Sequence, residues 1–257
     1  MTGQLGQALM QWTLVPPVAE SLSAARAAID DLLWRRDIRA AAGQVALAST
    51  IRGARESATM EGADIAHVED SPMGRVLLAA QAVTGEAPLL ADTWTSAPLQ
   101  VLARLHTLAA HDHLAPDLLG RPRIAGEVSD DPLHLGPAPA NPAQRLSLLA
   151  DLATDSADVP AVAVAGIAHA ELVGGRPFVW GSGLVGRAIV RVVFAARGVD
   201  PSLFSIPEAG MMQVGRPAYV RALRDYESGK VDDYLRWFAS AVALGAQCAS
   251  AEVPGQA

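Results

Sequence analysis

Cysteine is nearly absent from this chain: Cys248 is the only one in 257 residues. No intrachain disulfide can form, and such a composition fits a reducing compartment. Basic residues are in deficit, with 20 Lys and Arg against 27 Asp and Glu for a net charge of −7. That balance leaves no electrostatic footprint for nucleic acid. Charged residues are 18% and aromatic residues 5% of the whole. No apolar run reaches spanning length, because Glu171, Arg191 or Gln247 interrupts the longest ones, so no membrane helix is expected. Met1 to Trp12 carry no Lys or Arg and no continuous apolar stretch, which argues against a signal peptide. The expected address is the cytoplasm.

Hydrophobic residues make up 51%, dominated by alanine and leucine, and β-branched runs are short. This composition favours helices. Ser71-Pro72, Asn141-Pro142 and Asp158-Val159-Pro160 each set a capping side chain near a first-turn proline, a helix-start signal. Apolar residues recur at helical spacing, as in Leu99, Leu102 and Leu105, or Tyr234, Trp237, Phe238 and Ala241. Helices are expected near 17–34, 37–61, 72–84, 97–111, 142–154, 159–173, 184–197, 216–228 and 231–249. Between them, 119–141 is a long irregular segment rich in Gly, Pro and Asp; such a loop in a helical protein is usually functional or mobile. No repeat, low-complexity tract or linker divides the chain, so one domain over 1–257 is expected.

The densest chemical signal is the stretch Gly175-Arg176-Pro177-Phe178-Val179-Trp180-Gly181-Ser182-Gly183-Leu184-Val185-Gly186-Arg187. A glycine turn at 181–183 leads directly into an apolar helical run. Backbone N–H groups at such a turn, added to the positive end of a helix, form an anion cradle suited to phosphate. Arg176 and Arg187 flank it and offer bidentate contacts to an anion, although Arg176 also fits a simple salt bridge. This stretch resembles the signature of the Fic (Fido) family, His-Pro-Phe-x-Asp/Glu-Gly-Asn-Gly-Arg-x-x-Arg. Other segments match the family in order. Gly120-Arg121-Pro122-Arg123 resembles its Gly-x-x-Arg turn, and Glu127 to Pro139 falls where it carries a β-hairpin flap. Arg216-Pro217-Ala218-Tyr219 and Trp237-Phe238 resemble its closing helices. Ser57-Ala58-Thr59-Met60-Glu61-Gly62 is similar to its inhibitory-helix pattern, Ser/Thr-x-x-x-Glu-Gly/Asn.

The resemblance implies an all-α Fic-like domain with a short β-hairpin flap, inhibitory-type helices at about 17–65 and a core at about 97–249. It also implies that Ser57, Glu61 and Gly62 form an inhibitory-type helix end, with Glu61 paired to Arg187. The working residues have changed, however. Arg176 stands at the histidine position, and a guanidinium cannot serve as a general base. Trp180 replaces the acid that holds magnesium and cannot ligate a hard cation; its ring reads as a wedge in the old nucleotide pocket. Ser182 replaces asparagine and Leu184 the first arginine. His169 reads as a hydrogen-bonded core residue, while His106, His111 and His113 lack zinc-type spacing.

The expectation is thus a degenerate relative of protein adenylyltransferases, a pseudoenzyme. It would hold a phosphate-bearing ligand, such as a nucleotide or phosphate without magnesium, at Gly181, Ser182, Gly183, Arg187 and Arg176. A protein partner would sit at the flap, 127–139. The alternative is a transferase of a nucleotide-derived group with non-standard catalytic residues. No catalytic residue and no metal ligand is assigned.

Overall fold

A computed structural model describes residues 4–63 and 72–251. Ser71, Met1 to Gly3 and positions 64–65 of the expected inhibitory segment lie outside the described residues. Twelve helices run through the described part. They are α1 (Gln4–Thr13), α2 (Pro16–Trp34), α3 (Arg36–Ala40), α4 (Ala42–Met60), α5 (Pro72–Trp94) and α6 (Pro98–Ala110), then α7 (Pro142–Asp155), α8 (Ala161–Val173), α9 (Ser182–Ala196), α10 (Pro207–Val214), α11 (Arg216–Glu227) and α12 (Val231–Ser250). Apolar side chains from Leu9 to Ala249 form one contiguous core.

Its centre is the α8–α9 hairpin. Every residue of α8 after Ala161 is buried, including His169 and Glu171; a helix apolar all round belongs inside. α9 is buried from Leu184 to Phe194. The two pack closely because Gly186 has no side chain, as a Cβ there would come within 2.5 Å of Val173 Cγ2. α5 and α6 cover one side of α9, while α2, α10 and α12 complete the shell with α4 lying across α9. The loop joining α8 to α9 carries the motif, so its position is set by the deepest packing in the molecule.

The end of α4 is built by a Schellman cap. Gly62 N–H bonds to Thr59 O at 2.9 Å and Ala63 N–H to Ala58 O at 3.0 Å, with Gly62 at φ +87°. Only glycine takes that φ without strain. Glu61 therefore sits at a fixed helix end, and Ser57, four residues earlier, shares its face.

Several expectations need correction. No β-hairpin forms at 127–139: among the described residues there is no strand, and this segment is irregular. Pro132, Pro137 and Pro139 lack the N–H donors that a ladder needs. The expected helix 37–61 breaks at Ala41 into α3 and α4. The helix expected to end near 84 runs on to Trp94, carrying Pro88 inside it. α8 begins at Ala161 behind Pro160, so Asp158 is not its cap, and Asn141 precedes α7 without a side-chain capping bond. α1 and α10 have no counterpart in the sequence reading.

Candidate functional site

The motif loop is anchored from below and from the side. Phe178 is fully buried and stacks on His106, ring centroids 4.0 Å apart at 7°. His106 Nδ1 accepts the Gly120 N–H at 2.9 Å, and burial lowers its pKa to about 4, so the ring is neutral. The Phe178 N–H donates to the Ser182 hydroxyl at 3.2 Å. Arg123 N–H bonds to Pro177 O and Asp130 N–H to Val179 O, both at 2.9 Å. The irregular 123–139 segment thus lies alongside the motif where a hairpin was expected.

At the start of α9 the chain's own carboxylates lie against the glycine turn. Gly181 adopts φ +77° and its N–H donates to Asp130 Oδ2 at 3.1 Å. The Glu61 carboxylate lies against Gly183, where a Cβ would come within 2.1 Å of Oε1. Glu61 also pairs with Arg187, whose side chain is fully buried. Arg187 Nε donates to the Ser57 hydroxyl at 2.8 Å, one terminal nitrogen donates to Ser57 O at 3.2 Å, and the other to the Tyr219 hydroxyl at 3.5 Å. The cavity bounded by Glu61, Asp130, Asp131, Arg176 and Gly183 measures about 10 Å³, roughly one water.

Arg176 is committed as well. It ion-pairs with Asp131 at 3.0 Å and donates to Gly136 O, and it is 4% exposed. Its φ is +45°, an uncommon conformation for a non-glycine residue that its surroundings must hold in place. Three carboxylates, Glu61, Asp130 and Asp131, here face two guanidiniums. Asp130 is the unbalanced one: burial and then the Glu61 carboxylate raise its pKa to about 6. Trp180 is half-buried and stacks on His113 at 3.7 Å.

The motif does not fit magnesium. The indole at position 180 has no hard-cation ligand, and the nearest carboxylate, Asp130, is engaged with the Gly181 N–H. Among the described residues no group of three or more His, Cys, Asp or Glu side chains is arranged to hold a metal ion. His111 is exposed beside Asp112, away from the motif stacks of His106 and His113.

His169 sits beneath the site, fully buried, with Nδ1 2.7 Å from the Tyr234 hydroxyl and Nε2 2.8 Å from that of Tyr219. Tyr234 donates to Gly166 O at 2.9 Å, so it must accept from Nδ1–H. Nε2 then accepts from Tyr219, whose oxygen accepts from Arg187. One proton order satisfies every partner. Burial and then Arg187 hold the imidazole well below its usual pKa.

The sequence reading did not single out Asp130 and Asp131, and it placed Arg123 and Arg216 in motifs without their partners, because those partners lie far away in the chain. It also missed a second buried pair, Arg191 with Glu208, at 2.7 and 2.8 Å. Arg191 in addition donates to the Ser49 hydroxyl at 3.1 Å. The available signal was Arg187 and Arg191 at i and i+4 in an otherwise apolar helix, since buried guanidiniums require partners.

A helical core whose central hairpin carries a Pro-Phe loop, a glycine turn and a helix-held arginine, faced by a capped helix ending in glutamate, defines a Fic-type architecture. Comparison with solved structures gives the same answer. The chain is similar to a Fic family protein from Desulfovibrio desulfuricans, with a TM-score of 0.69 at 16% identity over 93% of this chain and 75% of that one. It is also similar to Fic-1 from C. elegans, with a TM-score of 0.63 at 18% identity over 91% and 72%. The chain therefore has the Fic fold. No protein-family profile matches the sequence, and no curated protein matches it. Among the described residues no helix is long and apolar enough to cross a membrane.

Proposed function

We propose that this is a Fic-fold pseudoenzyme whose phosphate cradle is kept shut by its own carboxylates, and that it acts by binding. The observation that carries the reading is Glu61 lying on Gly183 while paired with Arg187. An internal carboxylate there competes with any phosphate for the space over Gly183 and for the Arg187 guanidinium. A phosphate-bearing ligand enters only when Glu61 withdraws, and the outer face of the 127–139 segment is the surface offered to a protein partner. Arg176 and Trp180 supply neither a general base nor a magnesium ligand, so AMP transfer by the usual route is not expected. Incubating wild-type protein and Glu61→Gly with labelled ATP and lysate tests this. No labelling by either is expected, and strong labelling by the variant would sink it.

One observation favours a second reading, transfer with altered chemistry. Asp130 reaches Gly181 N–H from the flap, and with a pKa of about 6 it is ionised at neutral pH yet basic enough to take a proton. In that reading Asp130 is the base for an acceptor hydroxyl. Slow labelling by Glu61→Gly that disappears in Glu61→Gly with Asp130→Asn would support it over the first.

A further inference from the structure

The irregular 130–139 segment is held by arginines rather than by a sheet ladder. Arg216 donates to Pro132 O, Arg224 to His134 O at 2.8 Å, Arg176 to Gly136 O and Arg123 to Pro139 O. These guanidiniums come from α11, the motif loop and the turn before the segment, and together they satisfy carbonyls that its prolines and bends leave unpaired. From within, the Asp131 carboxylate accepts the N–H groups of Leu135 and Gly136 at 2.8 Å each. The segment is a strap with its own internal turn.

One of the four does more. Arg216 also donates from its other terminal nitrogen to Met60 O at 3.3 Å. That carbonyl belongs to the last turn of α4, directly before Glu61, and α-helix ends leave such carbonyls without intrahelical partners. A single guanidinium at the start of α11 therefore ties the strap to the helix end that carries the cradle's carboxylate. Asp130, at the head of the strap, and Glu61, at the end of α4, are brought to the same α9 terminus from opposite sides.

We propose that the strap and the end of α4 open and close as one unit, with Arg216 as the tie. This rests on the closed-cradle reading and adds its regulation: a ligand or partner that lifts the strap also withdraws Glu61, and neither moves alone. The coupling is physical because one planar group cannot keep both carbonyls once either moves away.

Amide hydrogen exchange on the full chain tests it, read at Asp130, Leu135 and Gly136 in the strap and at Gly62 and Ala63 at the helix end. Arg216→Ala is expected to speed exchange about tenfold at both groups together, since local opening sets the rate. Arg224→Ala, which loses only the His134 contact and leaves Arg216 in place, should speed the strap by a smaller factor and carry the Gly62 and Ala63 amides with it. If Arg216→Ala does not fold, Arg216→Lys, whose one nitrogen lacks the span of the two terminal nitrogens that reach Met60 O and Pro132 O, should give the paired pattern at a smaller factor. Faster exchange in the strap with the Gly62 and Ala63 amides unchanged would overturn the proposal, as would no change in either. The exchange readout is independent of ATP labelling, so failure of the coupling and failure of the closed-cradle reading are told apart.

Discussion

Gly183 and Glu61 make sense only as a pair. A carboxylate lying on a helix backbone requires glycine below it, and the Cβ of alanine would come within 2.1 Å of Glu61 Oε1. Gly183→Ala should therefore destabilise by pushing Glu61 off Arg187. Glu61→Gln should lower stability by about 3–5 kcal/mol, because Arg187 is left buried with neutral partners only. Both changes break the same contact, so the double variant should cost clearly less than the sum, as urea unfolding will measure. Asp130 behaves in the opposite sense. Its folded pKa of about 6 lies above the ordinary 3.8, so the folded state holds the proton more tightly. That contribution is full at low pH and is lost as pH rises from about 4 to about 6. Asp130→Asn keeps an acceptor for the Gly181 N–H and removes the buried charge. It should be more stable than wild type by about 1–3 kcal/mol at pH 7.5, with the gap closing near pH 4. His169 should remain neutral as the Nδ1–H tautomer, which nitrogen chemical shifts read directly, and Tyr219→Phe should remove the donor to Nε2.

At the scale of elements, α9 carries two arginines one turn apart, and each reaches a serine of α4: Arg187 to Ser57 and Arg191 to Ser49. Gly53 lies between the serines because a Cβ there would come within 2.3 Å of an Arg191 terminal nitrogen. Gly53→Ala should thus loosen the α4–α9 contact and lower the urea midpoint, an effect that helix propensity alone would place in the opposite direction. Most helices were legible from their periods, because amphipathic spacing records which face is buried. The motif loop was legible from its glycine turn and from its resemblance to the Fic signature, and Glu61 only through the resemblance to the inhibitory-helix pattern. The flap was misread as a hairpin: its geometry follows from Arg123, Arg176, Arg216 and Arg224, which donate to its carbonyls from α11 and neighbouring loops, and no local pattern encodes those distant bonds. For the same reason Asp130 and Asp131 passed as ordinary loop acids. Pro88 was silent too, since α5 is held by packing on α4, α6 and α9 and tolerates a proline that isolated helices would not.

For the molecule as a whole, the Fic fold is what the chain shares with its structural neighbours, and the pseudoenzyme reading proposed above concerns the motif alone. The core packs α8 and α9 at its centre, and four ionised groups, Glu61, Arg187, Arg191 and Glu208, are buried beside them as two pairs. Pairs of this kind add less stability than well-packed apolar residues but fix one arrangement of the helices; here Glu61–Arg187 holds the end of α4 against α9, and Arg191–Glu208 joins α9 to α10. The most direct test of this account is calorimetric titration of inorganic phosphate and ATP into wild type and Glu61→Gly, each with and without magnesium. No binding to wild type is expected, together with a gain of weak, magnesium-independent binding in the variant that Arg187→Ala abolishes. Tight, magnesium-dependent ATP binding by the wild-type chain would contradict a cradle closed by its own carboxylate.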